Sequence, residues 1–158
     1  MAIEDAFNAA KSVTSMFGTF INTVTQEVGE DKSLALLSKS LGGFGAMMGK
    51  MTKEQMGITE LDVKTISSFM KGMNESLGFT TEIEENPTTV TVKNVKCPCY
   101  EGLKGAGYDH EAIEKFCRNG SAVMMNALFE QMDPNVRYTL KKFRSTPDDF
   151  CEEEIAFT

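Results

Sequence analysis

The stretch FTTEIEENPTTVTVKNV, residues 79–95, decides the fold. Phe79, Thr81 and Ile83 alternate with polar residues, Glu85-Asn86-Pro87-Thr88 has turn chemistry, and Thr89 to Val95 is β-branched and alternating again. A period of two on both sides of a turn predicts a β-hairpin.

Upstream of this hairpin the period is helical. Ala6, Phe7, Ala10, Val13, Phe17, Phe20, Ile21, Val24 and Val28 recur in steps of three and four, which predicts one long amphipathic helix from Ile3 to about Gly29. A second helix is expected from Asp31 or Ser33, carrying Leu34, Leu37 and Leu41 into a Gly-rich segment over residues 42–49. No strand precedes that segment and its spacing fits no phosphate-binding fingerprint, so it reads as close helix packing or a flexible lid. A third helix is expected near Thr59, whose hydroxyl would cap it, with Val63, Ile66, Met70, Met73 and Leu77 inward and Gly78 closing it.

Downstream, Asp109 is a plausible N-cap for a helix with Ile113, Phe116, Cys117, Met124 and Leu128 on its core face, ended by Asp133-Pro134-Asn135. Val136, Tyr138 and Leu140 begin a third strand, Thr146-Pro147-Asp148-Asp149 turns, and Phe150 to Phe157 is a fourth. The expected fold is α+β: a four-stranded antiparallel sheet made of two hairpins, with three N-terminal helices and one inserted helix packed on one face. The 158 residues read as a single domain, with a helical half at 1–78 and a hairpin–helix–hairpin half at 79–158.

Composition bounds the function. A net charge of −7 and a pI near 4.8 make nucleic acid and anionic membrane surfaces poor partners, and Lys141, Lys142 and Arg144 read as one strand face. No run of about 18 to 20 apolar residues indicates a membrane span, and Met1-Ala2-Ile3-Glu4-Asp5 is not a secretory leader. A cytoplasmic location is expected, where cysteines stay reduced.

The most informative chemistry is the set Cys97, Cys99, Cys117 and Cys151. Only one close pair exists, as Cys-Pro-Cys, which does not match zinc-knuckle spacing. Strand parity nevertheless puts Cys97, and Cys99 beyond it, on one face, and Cys151 with Ile155 and Phe157, away from Glu152 and Glu154. Cys117 lies in the helix stripe, so thiols from three elements face one interior layer. They are expected either to hold zinc or an iron–sulfur cluster, or to be small buried hydrophobes. His110, the single histidine, and Glu114 share a helix face with Cys117 and are candidates to complete a metal site or to act as a base. Eleven methionines allow an adaptable apolar cavity, for which Met70, Met73, Met124 and Tyr100 are the candidate ligand-binding residues.

The runs CPCYEGLKGAG (97–107) and FCRNGSAVMMNALFEQMDPNVRYTLKKFRSTPDDFCEEEIAF (116–157) resemble the L-2-amino-thiazoline-4-carboxylic acid hydrolase family, with a Cys-Pro-x-Tyr segment after a strand, a Phe-Cys in a helix and an Asp-x-Cys opening the last strand. The architecture is also similar to the 4-vinyl reductase small-molecule-binding domain. Both likenesses imply helices over an antiparallel sheet and single out Cys97, Cys117 and Cys151. The hydrolase pattern has an acid about three positions after the helix cysteine, where this chain has Gly120; Glu114 and Asp149 are the substitute acids. The functional expectation is a cysteine-ligated metal domain, with zinc or an iron–sulfur cluster, that binds or senses a small molecule, with homodimerisation alongside. The alternative is a hydrolase of a small cyclic amidine or related C–N bond, with Cys97 or Cys117 as nucleophile or a metal-bound water.

Overall fold

The computed structural model describes residues 2–58 and 61–158. Three helices come first: α1 (Ile3–Val28), α2 (Glu30–Met56) and α3 (Val63–Ser76). The hairpin β1 (Thr80–Asn86) and β2 (Thr89–Lys96) follows, then α4 (Pro98–Gly105), α5 (His110–Phe116), a π-helical turn over Cys117–Ser121, α6 (Ala122–Met132), and the hairpin β3 (Val136–Lys142) and β4 (Cys151–Phe157). The fold is α+β with one four-stranded antiparallel sheet, as the alternating stretches predict.

The strand order is β1-β2-β4-β3, so the two hairpins join through β2 and β4. The register sets Val90 opposite Ile155, Val92 opposite Glu153, and Asn94 opposite Cys151. On one face Val90, Val92, Val136, Tyr138, Leu140 and Ile155 are buried, which is the period of two written into packing.

The helices cover that face in two layers. α3 and α6 lie on the sheet, while α2 rests mainly on α6 and α1 on α4. Glycine sets the closeness of both outer contacts. A methyl group on Gly45 would overlap the Met124 carbonyl oxygen, and one on Gly49 would overlap that of Leu128. Gly102 meets the Lys11 carbonyl and Thr14 in the same way. The Gly-rich segment is therefore helix interior packed against a neighbour; of its two expected roles the structure shows close packing, with no lid. Tertiary contact outweighs the roughly 1 kcal/mol that a glycine costs a helix interior.

Other boundaries shift for local reasons. The expected cap at Thr59 lies outside the described residues; α3 starts at Val63, where Asp62 accepts from the Thr65 N–H at 2.6 Å. Cys99 does not continue the strand face. Pro98 at the first helical position and Cys97 as N-cap, accepting from the Tyr100 N–H at 3.4 Å, turn the chain into α4. Arg144 departs from the expected strand face and is buried. No helix among the described residues is long and apolar enough to cross a membrane.

Gly45→Ala drives a methyl group into backbone rather than into a movable side chain. It is expected to destabilise the chain by about 2–3 kcal/mol, read from urea unfolding midpoints at constant slope. Gly43→Ala, where nothing lies near the added methyl, is the matched control and should be neutral or stabilising.

Candidate functional site

Between the sheet and the inner helices lies a cavity of about 140 Å3. Its apolar wall comes from Met73, Leu77, Phe79, Met124, Met125, Leu140 and Phe143. Its polar lining consists of all four cysteines, Asn74, Asn94, Ser121, Tyr138 and Glu153.

Three elements deliver the thiols. The turn from β2 into α4 brings Cys97 and Cys99, the π-helical turn brings Cys117, and the first residue of β4 brings Cys151. A π turn adds a residue to the helical repeat and so re-aims the side chains it carries. Here it spans Cys117 to Ser121 and ends at the cavity wall.

The thiols differ in chemistry. Cys99 is held below the ordinary thiol range by a hydrogen bond from Cys97 and a second, at 3.8 Å, from the Thr14 hydroxyl of α1. Sharing that proton with Cys99, together with burial, drives Cys97 well above its usual range. Burial raises Cys117 strongly. Burial also raises Cys151, against the opposing contact of Arg144, whose backbone N–H and Nε each lie 3.5 Å from its sulfur. Cys99 is thus the thiol biased towards thiolate.

Arg144 itself is anchored by the Asn94 carbonyl at 3.0 Å and the Pro147 carbonyl at 3.1 Å, and lies over the Tyr100 ring. Glu153 sits among apolar neighbours, and burial lifts its carboxyl to about 7 against hydrogen bonds from Tyr138 and Asn94. Asn94 Nδ2 donates to Glu153 Oε1 at 2.8 Å. The opposite amide atom, Asn94 Oδ1, is buried without a partner, and so is Asn74 Nδ2 on α3.

The remaining candidates lie elsewhere. His110 is exposed at the start of α5, with Nδ1 3.3 Å from the Tyr100 hydroxyl, and Glu114 is paired with Arg118 at 2.8 Å. Neither lines the cavity. Tyr100 and Met70 are buried in the core outside it, whereas Met73 and Met124 are in its wall. Asp149 is held well below the usual carboxylate range by Lys142 and by N–H groups of its own turn, so it acts as a turn clamp.

The metal expectation is corrected. Among the described residues no group of three or more His, Cys, Asp or Glu is arranged to hold an ion. The thiols line one cavity without forming such a group, Cys97 donating to Cys99 and Cys151 engaged by Arg144. Sequence reasoning also missed Asn74, Asn94, Tyr138, Arg144 and Glu153. For Glu153 a signal existed, since it shares strand parity with Cys151 and Ile155.

No family model and no curated protein matches the chain. Among solved structures, the fold is similar to a trafficking protein particle complex subunit 3 from Naegleria fowleri, solved covalently bound to palmitic acid, with a TM-score of 0.60, 13% identity and 95% of each chain covered. That likeness and the missing ligand group together overturn the zinc or iron–sulfur function, and with it the hydrolase alternative.

Two outcomes follow from these groups. In native, reduced protein at neutral pH, iodoacetamide is expected to label Cys99 before the other three thiols, and Thr14→Val should slow that labelling; equal rates by peptide mapping would contradict the assignment. Glu153 binds its proton more tightly folded than unfolded, so it favours the fold at low pH, and that contribution is lost as pH rises from about 4.5 to about 7. Glu153→Gln should remove up to roughly 3 kcal/mol of this pH dependence, read as the difference in unfolding free energy between pH about 5 and pH about 8.

Proposed function

We propose that this chain is a subunit of a multi-protein assembly of the trafficking type and acts by binding rather than by catalysis. The observation that carries the reading is the end-to-end likeness in fold to a protein named as a complex subunit.

The outer helix layer supports it. On α1, Val13, Met16 and Phe20 are 62%, 70% and 60% exposed, at steps of three and four. On α2, Leu36, Phe44, Met47 and Met51 also face outward. Their partners within the fold are on the opposite sides of the same helices, where Gly18 meets Leu103 and Gly45 meets Met124. Rows of large apolar side chains left outside a filled core mark contact surfaces. The partner is a different protein, because a net charge of −7 on each copy opposes self-association.

Native mass decides the matter. The chain alone is 17.4 kDa, and tagged protein isolated from its own cells is expected to run in a larger complex with other chains in fixed ratio. Met16→Glu with Phe20→Glu should release it as monomer while leaving its melting temperature within a few degrees, since both side chains are outside the core. A wild-type monomer under these conditions would sink the proposal, and a homodimer would replace the foreign partner by a second copy.

A further inference from the structure

We propose that Cys97 and Cys99 are a redox couple: hydrogen peroxide converts the reduced pair into a Cys97–Cys99 disulfide, with Cys99 the sulfur that attacks and Cys97 the sulfur that resolves. The site is independent of the outer docking surface.

Reach comes first. Cys97 is the N-cap of α4, Pro98 its first residue and Cys99 its second. Helix rise and radius place Cα atoms two positions apart at about 5.4 Å, inside the roughly 4.4 to 6.8 Å that a disulfide spans. Direction is the usual obstacle, because side chains two apart on a regular helix do not face each other. Cys97 avoids it by standing outside the helix, with φ −124° and ψ 113°, so that its sulfur folds back over the helix end to 3.4 Å from the Tyr100 nitrogen. There its thiol donates to the Cys99 sulfur, and the two atoms that must bond are already in contact. Pro98 holds the arrangement, since its ring fixes φ at the residue that joins them.

The hydrogen bonds assign the roles. Cys99 accepts from two donors, the Cys97 thiol and the Thr14 hydroxyl of α1 at 3.8 Å. It also lies in the first turn of a helix, where backbone N–H groups favour negative charge. Cys97 keeps its proton and delivers it in the second step. The other two thiols are differently placed: Arg144 engages Cys151 at 3.5 Å, and burial keeps Cys117 protonated.

Size selects the oxidant. Cys97 and Cys99 are half-buried, and the cavity they line is about 140 Å3. Hydrogen peroxide has only two heavy atoms and fits where a few waters would, each occupying about 30 Å3 in the liquid. Glutathione disulfide does not fit that space. The Cys99 thiolate attacks one peroxide oxygen, the O–O bond breaks, and the leaving hydroxide takes a proton from solvent and departs as water. Cys97 then attacks the Cys99 sulfenic acid: the S–S bond forms, the S–O bond breaks, and hydroxide leaves with the Cys97 proton as a second water. Two thiols and one peroxide become one disulfide and two waters, with two electrons passing from sulfur to oxygen.

The test treats the full reduced chain with one equivalent of hydrogen peroxide, blocks free thiols with N-ethylmaleimide and maps tryptic peptides. The peptide 97–104, bounded by Lys96 and Lys104, is expected two hydrogens lighter and unalkylated, while Cys117 and Cys151 carry the label. Dithiothreitol should restore both thiols. The folded chain should oxidise the pair at least about tenfold faster than the chain in concentrated urea, where only the Cys-Pro-Cys tether remains. Cys97→Ser should stop at a Cys99 sulfenic acid that dimedone traps, and Cys99→Ser should slow peroxide consumption about tenfold or more. A first linkage that includes Cys117 or Cys151, equal rates folded and unfolded, or passage to sulfinic acid without a disulfide each overturns the proposal. So does a stable acyl group on either sulfur in the intact mass of freshly purified protein. The wild-type mapping decides the question even where a variant fails to fold.

Discussion

The close approach of α2 to α6 is the constraint on which the rest of the molecule depends. Gly45 and Gly49 let the backbone of one helix lie against carbonyls of the other. α6 is thereby held down on β3, with Phe129 and Leu128 buried under it and Phe129 stacked on Tyr138. Leu37 and Leu41 of the same α2 press on Gly120, within the π turn. The outer layer therefore fixes both the height of α6 over the sheet and the point at which the helix changes its repeat. The cavity opens beside that point, where the wall passes from Met124 and Met125 of α6 to Cys117 of the π turn. A core packed to ordinary density leaves few voids larger than water, so one that persists beside a tightly seated helix is a product of that geometry.

What the cavity contains is less comfortable than what surrounds it. The Glu153 carboxyl, on β4 opposite Val92 and Leu140, carries a desolvation cost that hydrogen bonds from Tyr138 and Asn94 only partly offset, which is why it holds its proton to about 7. Two orphaned amide atoms add to that cost. A fold selected for stability alone would put leucine at these positions, since a half-satisfied polar network is worse than an apolar core. The thiols fit the same pattern: Cys97 and Cys99 share a proton rather than each lying inert in the wall. The departures from an ordinary apolar core thus gather beside one cavity.

Much of the fold could be read from residue order, and the reasons are particular. Both hairpins announce themselves because one face of the sheet is buried and the alternation at Val90, Val92, Tyr138 and Ile155 has to follow. α4 escaped because a cysteine is an unusual cap and eight residues are too few to show a helical period. The Gly-rich run left close packing and a lid both open, because intrinsic propensity cannot see the neighbouring helix that makes glycine necessary. Among the site residues, the shared layer of the thiols follows from parity and helix stripe. The π turn that carries Cys117 and the Arg144 contact that engages Cys151 are set by tertiary packing, and neither is written in spacing. Asn74 had no signal at all: on a helix an inward asparagine looks like any polar interruption of the stripe.

α1 lies between the exposed apolar row and the cavity wall. Its inner side carries Thr14, which donates to Cys99 at 3.8 Å, and Gly18, whose carbonyl accepts from the Tyr108 hydroxyl at 3.1 Å. Its outer side carries Val13, Met16 and Phe20 within the same two turns. The first of those inner contacts is made to α4, whose start holds Cys97 and Cys99 in the cavity wall, and the second to Tyr108 just beyond its end. An α-helix transmits a rigid-body shift along its length with little internal loss, because its hydrogen bonds are all internal. One helix diameter, about 10 Å, therefore separates the exposed apolar row from the residues that set the proton balance of the thiol pair.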